Sequence, residues 1–223
     1  MSRYVARRLR LPKATCMECV NVFNQRELDR ALASPSRGMR VLVCRGTGSF
    51  VVTSGNQVVA RDGAHIRVEG SAFVTAEGQA VVDVGGQGSV LARGDVTVTA
   101  TERARVILHE RASVVASEDA TVEAFEETTV RASGHASVKA ASGRVLRVDA
   151  SGAARVNAFG AVEVTARDRS EVTARGECHV VSHDHASVQA FGRATVEAHG
   201  ASRVRVFEEA RAAAHEGAVV VVA

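Results

Sequence analysis

From Gly48 onward the chain repeats every eight residues, a unit with room for one short strand and one tight turn and for little else. The octads ASVVASED, ATVEAFEE, TTVRASGH, ASVQAFGR and ATVEAHGA show the pattern. Twenty-two octads, the last one short, run to residue 223; twelve cover 48–143, Arg144 and Val145 are inserted, and ten follow from Leu146. The two-residue insertion reads as a bulge or turn and is the only break in register.

The third position of the octad is Val in 19 of 22 copies, and the fifth is Ala in 15 and Val in five. The first is mostly small and apolar. Apolar residues at 1, 3 and 5 against variable ones at 2 and 4 are the period-two signature of a strand buried on one face. Position 7 is usually Gly or an acid, as a turn requires. A helix is excluded, because β-branched Val recurs with Gly in every few octads and such a run has poor helix propensity.

Charge patterning gives the number of octads per coil. Stacked parallel strands bring equivalent residues within about 4.8 Å, where opposite charges are favoured and like charges penalised. At a separation of 16 the outward positions hold eleven opposite pairs and no like pair: Arg61/Glu77, Glu77/Arg93, Arg67/Asp83, Asp95/Arg111, Arg111/Glu127, Arg103/Asp119, Glu123/Lys139, Arg147/Glu163, Arg155/Glu171, Glu177/Arg193 and Arg193/Glu209. A separation of 8 gives seven opposite and eight like, so only 16 carries a signal. Two octads therefore make one coil. The expected fold class is all-β: a single-chain parallel β-solenoid of about eleven coils, two thin sheets back to back over an Ala/Val core.

Residues 1–47 differ in composition and form a basic N-terminal cap, with ten Lys+Arg against three Asp+Glu, leaving 18 against 22 in residues 48–223. Arg outnumbers Lys 26 to 2 over the whole chain, a compositional bias that weakens any nucleic-acid reading of the basic head. Within the cap, NQRELDRALA predicts a helix over about 25–33, with Asn24 as N-cap and Glu27 completing a capping box. Ser34-Pro35 stops it, and a strand at about 41–44 leads through Gly46 into the solenoid. Helix followed by strand resembles the N-terminal cap of right-handed parallel β-helix proteins. The repeat A-T-V-x-A-x-G-x resembles that of uncharacterised octad-repeat β-solenoid proteins of actinobacteria and their phages, over roughly residues 41–223. Some of those proteins carry a further globular C-terminal region, and the resemblance lends no catalytic residue.

Candidate sites are few. His183, His199 and His215 fall at position 6 of alternate octads and should stack on one edge, with Arg167 one coil earlier, as a metal, anion or pH-responsive ladder or as a plain corner column. Phe159, Arg175, Phe191 and Phe207 occupy the equivalent places on the opposite edge, an aromatic and cation–π column. Cys16 and Cys19 have the spacing of half a zinc site to which Cys44 could add a third ligand; the fourth is missing, and buried thiols are the simpler reading. The turn acids Glu102, Glu110, Glu118 and Glu126 could bind cations, or merely form a solvated row. No phosphate loop, nucleophile–base pair or carboxylate constellation stands out, and uniform octads leave no loop to build a catalytic groove. Neither cofactor nor metal is expected.

Two apolar features point to interaction. Val59, Leu91 and Ile107 share outward position 4, with Phe73 beside them, a patch that residues 1–20 could cover. The C-terminal AVVVVA puts Val219 and Val221 outward and Val220 and Val222 inward with no polar cap following. The expectation is a non-enzymatic structural or interaction protein, a rigid rod acting as a scaffold and self-associating through its last coil, with an unknown protein partner as the other route. The alternatives are a phage-type virion or spike component and a ligand- or metal-binding solenoid. No run reaches the roughly 18 apolar residues of a membrane span and no secretory leader is recognisable, which favours a cytoplasmic or virion location.

Overall fold

A computed structural model describes residues 18–34, 40–54, 58–215 and 217–223. The chain is a parallel β-solenoid of about eleven coils with one short helix near its N-terminal end. Odd octads form one stack of strands, here the front sheet, beginning Ser49–Val52, His65–Val68, Val81–Val84. Even octads form the back sheet, beginning Val58–Ala60, Phe73–Gly78, Ser89–Gly94. Every pairing is parallel, and within the octad tract equivalent residues are in general 16 apart, as in Val74↔Val90, Val90↔Val106 and Val106↔Val122. The insertion stretches this interval to 18: Val138 stacks on Val156, Val130 on Val148, and the register shifts between Ser142 and Leu146. There the strands Ser137–Ala150 and Arg155–Ala166 run on from one sheet into the other.

Positions 1, 3 and 5 fill the space between the sheets. Ala64, Ile66 and Val68, or Ala120, Val122 and Ala124, are at most 1% exposed, and the same triplet recurs from coil to coil. Small residues suffice because each sheet is covered by the other, and side chains at one position stack on their equivalents about 4.8 Å above and below. Many of the turns are closed by an N–H at position 1 donating to the carbonyl of the preceding position 6, for example Ala104 to Thr101 and Ala186 to His183. Position 7 lies in the left-handed region in most octads, Ser54 and Ser142 being exceptions. Gly160 shows how strictly: its φ is +82°, and a Cβ there would collide with the Ser142 carbonyl oxygen beside the insertion.

The cap helix, Gln25–Ala33, forms where the capping box predicts. The Asn24 side chain accepts from the Glu27 N–H, and the Glu27 carboxylate accepts from the Phe23 N–H at 2.8 Å. Two more strands extend the back sheet below the first octad. Arg40–Cys44 lies under Val58–Ala60 at the same 16-residue interval, and Glu18–Val22 lies under Arg40–Cys44. The solenoid thus begins inside the region that composition separates as a cap. On the front sheet no strand among the described residues continues below Ser49–Val52, and the helix takes that place. Leu28, fully buried, joins Val22 and Phe50 at the bottom of the core.

Candidate functional site

The rod offers two corner columns, two flat faces and two ends, and each sequence candidate falls on one of them. On the front-to-back corner His183, His199 and His215 stack with ring centroids 5.1 and 4.4 Å apart and interplanar angles of 17° and 4°. Face-to-face rings hold their nitrogen lone pairs in parallel planes, which do not converge on one point. Among the described residues no three His, Cys, Asp or Glu side chains are grouped to hold a metal ion.

The opposite corner carries the aromatic column. Arg175 lies over Phe159 at 5.4 Å and over Phe191 at 5.3 Å, and Phe191 stacks on Phe207 at 4.5 Å. The column also extends towards the N-terminal half, where His109 stacks on Phe125 at 5.1 Å, a pair that the sequence reading did not single out although both residues stand at position 6.

The cysteines do not assemble. Cys19 lies opposite Val41 and Cys44 opposite Val22, an offset of three residues that turns the two side chains to opposite faces of the sheet. Cys19 is exposed and Cys44 buried, and burial pushes the Cys44 thiol up to about 12. Cys178 occupies an inward first position. Burial raises its pKa as well, and its Sγ donates to the carbonyls of Gly160 and Arg175. Cys16 lies outside the described residues.

The turn acids have a role that the sequence reading missed. All eight described non-glycine residues with positive φ are Asp or Glu at position 7, from Asp62 to Glu208. For an L residue this conformation costs roughly 1–2 kcal/mol. In six of the eight the carboxylate accepts a hydrogen bond from the backbone N–H at position 7 one coil earlier: Glu102 from Gly86, Glu118 from Glu102, Glu126 from Glu110, Asp168 from Gly152, Asp184 from Asp168 and Glu208 from Gly192. A charge-assisted bond of this kind is worth more than a neutral one and offsets the strain. Of the four turn acids singled out from the sequence, Glu102, Glu118 and Glu126 thus bind backbone. The detectable signal was an acid 16 residues after a Gly or another acid at position 7.

Six of the eleven predicted charge pairs close as ion pairs: Arg61–Glu77, Arg111–Asp95, Lys139–Glu123, Arg147–Glu163, Arg155–Glu171 and Arg193–Glu177. Local partners capture some of the rest. Asp83 pairs with His65 at 2.8 Å instead of Arg67, and the inserted Arg144 takes Glu127. Arg111 donates twice to Asp95 and holds that carboxyl below its ordinary value.

Two sets of side chains have the ingredients of chemistry. His65 and Asp83 border a concavity of about 830 Å³ on the front sheet, and His179 Nδ1 lies 3.1 Å from Thr195 Oγ1. Among the described residues His65 has its carboxylate but no bonded hydroxyl, and His179 its hydroxyl but no bonded carboxylate. Neither forms a complete nucleophile, base and acid set.

Val59, Phe73, Leu91 and Ile107 are each half-buried rather than widely exposed, because stacked neighbours cover one another, and Thr75 separates Val59 from Leu91 in their column. Residues 18–20 belong to the strand at the end of the back sheet, so they do not cover this patch; residues 1–17 lie outside the described residues. More exposed apolar side chains lie elsewhere: Val51, Val81 and Val115 on the front sheet and Val145 at the insertion.

The largest apolar exposure is at the last coil. Val219 and Val221 are 53% and 49% exposed, and Val222, inward by parity, is 82% exposed because among the described residues no coil stacks above it. Ala214 is likewise exposed, and Ala212 and Val220 only partly buried.

The described helix is not long and apolar enough to cross a membrane. Comparison with protein-family models, with curated proteins and with solved structures finds no match.

Proposed function

We propose that the protein is a non-enzymatic structural element, a rigid rod that joins a second copy of itself through its C-terminal coil. The observation that carries this reading is the pair of unpartnered strands Arg211–Ala214 and Val219–Val222, each hydrogen-bonded on one side only among the described residues. Val219 and Ala223 donate to Ser202 and Val206 of the previous coil. Alternation along a strand then turns the N–H groups of Val220 and Val222 towards the open side, where exposed sheet edge and apolar core coincide.

Polarity also selects the partner. The N-terminal mouth of the core is occupied by the cap helix, which obstructs head-to-tail stacking into filaments. Two open C-terminal coils can face each other about a two-fold axis, with strands meeting antiparallel and the assembly closing as a dimer. The strand VVVV suits this contact, since its outward positions carry no charge to repel an identical neighbour.

The test is light scattering coupled to size exclusion on the intact chain, a version lacking residues 218–223, and Val222→Pro. The proline removes an open-side donor and no bond within the solenoid. The expected outcome is a dimer that becomes a monomer in both variants, with Val222→Pro melting as the parent monomer does. A monomeric parent at high concentration overturns the proposal, as does a dimer that survives both changes.

A further inference from the structure

The His column stands beside the least apolar part of the core. Of the four buried polar side chains among the described residues, Ser170, Ser182 and Ser202 lie along the same front-to-back corner, at inward positions where Ala is the usual residue. Ser170 Oγ donates to the Arg167 carbonyl at 2.8 Å and Ser182 Oγ to Ser202 Oγ at 3.2 Å. Hydroxyls paired in this way are satisfied but add little net stability where a methyl would bury apolar area. Cover is also thinnest here, with Ala212 and Val220 only partly buried and Ala214 exposed. In a stacked repeat each coil is held by its nearest neighbours, so weakly held end coils can open while the rest stay folded.

The two corners of these coils respond differently to acid. On one, Phe159, Phe191 and Phe207 cannot take up a proton and Arg175 is charged throughout. On the other, every ring is an imidazole, half-buried at His183 and His199 and exposed at His215. Neutral rings 5.1 and 4.4 Å apart stack, whereas charged ones at the same distances repel. Arg167, at the equivalent place one coil earlier, adds a further positive charge, as do Arg169 and Arg203 on the adjoining turn and strand, and His185 titrates beside His183. The flanking acids are engaged elsewhere: Asp168 and Asp184 accept from the backbone N–H groups of Gly152 and Asp168, and Glu171 pairs with Arg155 at 3.2 Å. Glu197 remains, and among the described residues neither it nor any other carboxylate is bonded to the three rings. Glu216 lies outside the described residues.

We propose that the His column is an acid-operated clasp: neutral, it stacks and holds the last coils closed; protonated, its charges repel along the rod axis and residues 178–223 open from the C-terminal end while the earlier coils stay folded. The effect is confined to this end by placement. On the same corner the coils before Arg167 carry Thr101, Ser117, Ser133 and Ser151, which do not titrate. His65 and His109 stand against Asp83 and Phe125, with no second imidazole stacked on them. The coils that open carry the strand edges Arg211–Ala214 and Val219–Val222, so acid removes the surface at which that end can associate.

The test is amide hydrogen exchange on the full chain at about pH 7.5 and about pH 5, either side of the range in which imidazole takes up a proton, read as protection factors so that the intrinsic pH dependence cancels. The Arg203, His215 and Val219 amides, bonded to the carbonyls of Ala186, Ala198 and Ser202, should lose protection about fivefold or more in acid. Thr121 and Ser137, bonded to Ala104 and Ala120 in the middle of the rod, should keep theirs. The same loss is expected in Val222→Pro, which separates opening of the coils from dissociation of a dimer. H199F keeps a ring at the middle rung that cannot charge, and H199Q removes both ring and charge; in each, the ratio of protection between the two pH values should fall towards one. No loss in acid, an equal loss at Thr121 and Ser137, a loss absent from Val222→Pro, or a ratio unchanged in H199F or in H199Q overturns the clasp.

Discussion

The two ends of the rod solve the same problem to different degrees. Any solenoid ends in strands with unpaired peptide groups over a cross-section of apolar core. At the N-terminal end the cap helix closes the core and the front-sheet edge, while among the described residues the back-sheet strand Glu18–Val22 is paired on one side only. Leu28 covers the core, and the Gln25 carboxamide takes the place of a missing strand: its Oε1 accepts from the Val51 N–H at 2.7 Å and its Nε2 donates to the Val51 carbonyl at 3.0 Å. At the C-terminal end nothing comparable is present among the described residues, and the inward Val222 is the most exposed large apolar side chain described. Identical coils therefore acquire different properties from what lies beyond them.

Matched core truncations sharpen this contrast. Leu28→Ala should cost about 2–5 kcal/mol in urea unfolding, because a fully buried side chain leaves a cavity under Phe50. Val222→Ala at the other end should change the stability of the monomer by less than about 0.5 kcal/mol. Equal costs would mean that the C-terminal end is as well covered as the N-terminal one.

Gln25→Ala is the next largest effect, about 0.5–1.5 kcal/mol, since it removes both bonds to the Val51 N–H and carbonyl at a solvent-exposed edge where water can take their place. Native-state hydrogen exchange should localise the loss to Val51 and the amides around it. Protection of Val51 unchanged from the parent would show that the helix covers the edge without pairing with it.

The smallest effect concerns the ladders between the ends. The folded-state pKa of Asp95 is depressed, so the contribution of its pair with Arg111 is present above the ordinary carboxylate range and is lost as pH falls through the folded value. Both groups are solvent-exposed, so Asp95→Asn should lower the melting temperature slightly at neutral pH and not at all in strong acid. A difference that persists in acid would point to packing rather than charge.

Much of the fold could be read from the octads. Val at position 3 and Ala at position 5 set the parity of every strand, and the eleven charge pairs chose 16 over 8 because neighbours along the rod are fixed by backbone hydrogen bonding alone. The helix was legible because Asn24 and Glu27 act within four residues of each other. The sites were less so. Nothing in the sequence marks Gln25 as the partner of Val51, which is 26 residues away, because that contact depends on where the helix docks. Likewise, the exposure of Ile107 or Leu91 could not be judged from their outward parity, since the coils above and below decide it.

The sequence by itself determined the strand, the turn, the coil length and the corner columns, all consequences of a short period repeated along one axis. Only the tertiary structure decided how the ends are treated, which charges close as pairs, and why acids tolerate a left-handed turn. The reason is physical: a repeat encodes what each coil shares with the next, whereas caps and bonds between carboxylates and backbone depend on the particular neighbour that each coil meets in space.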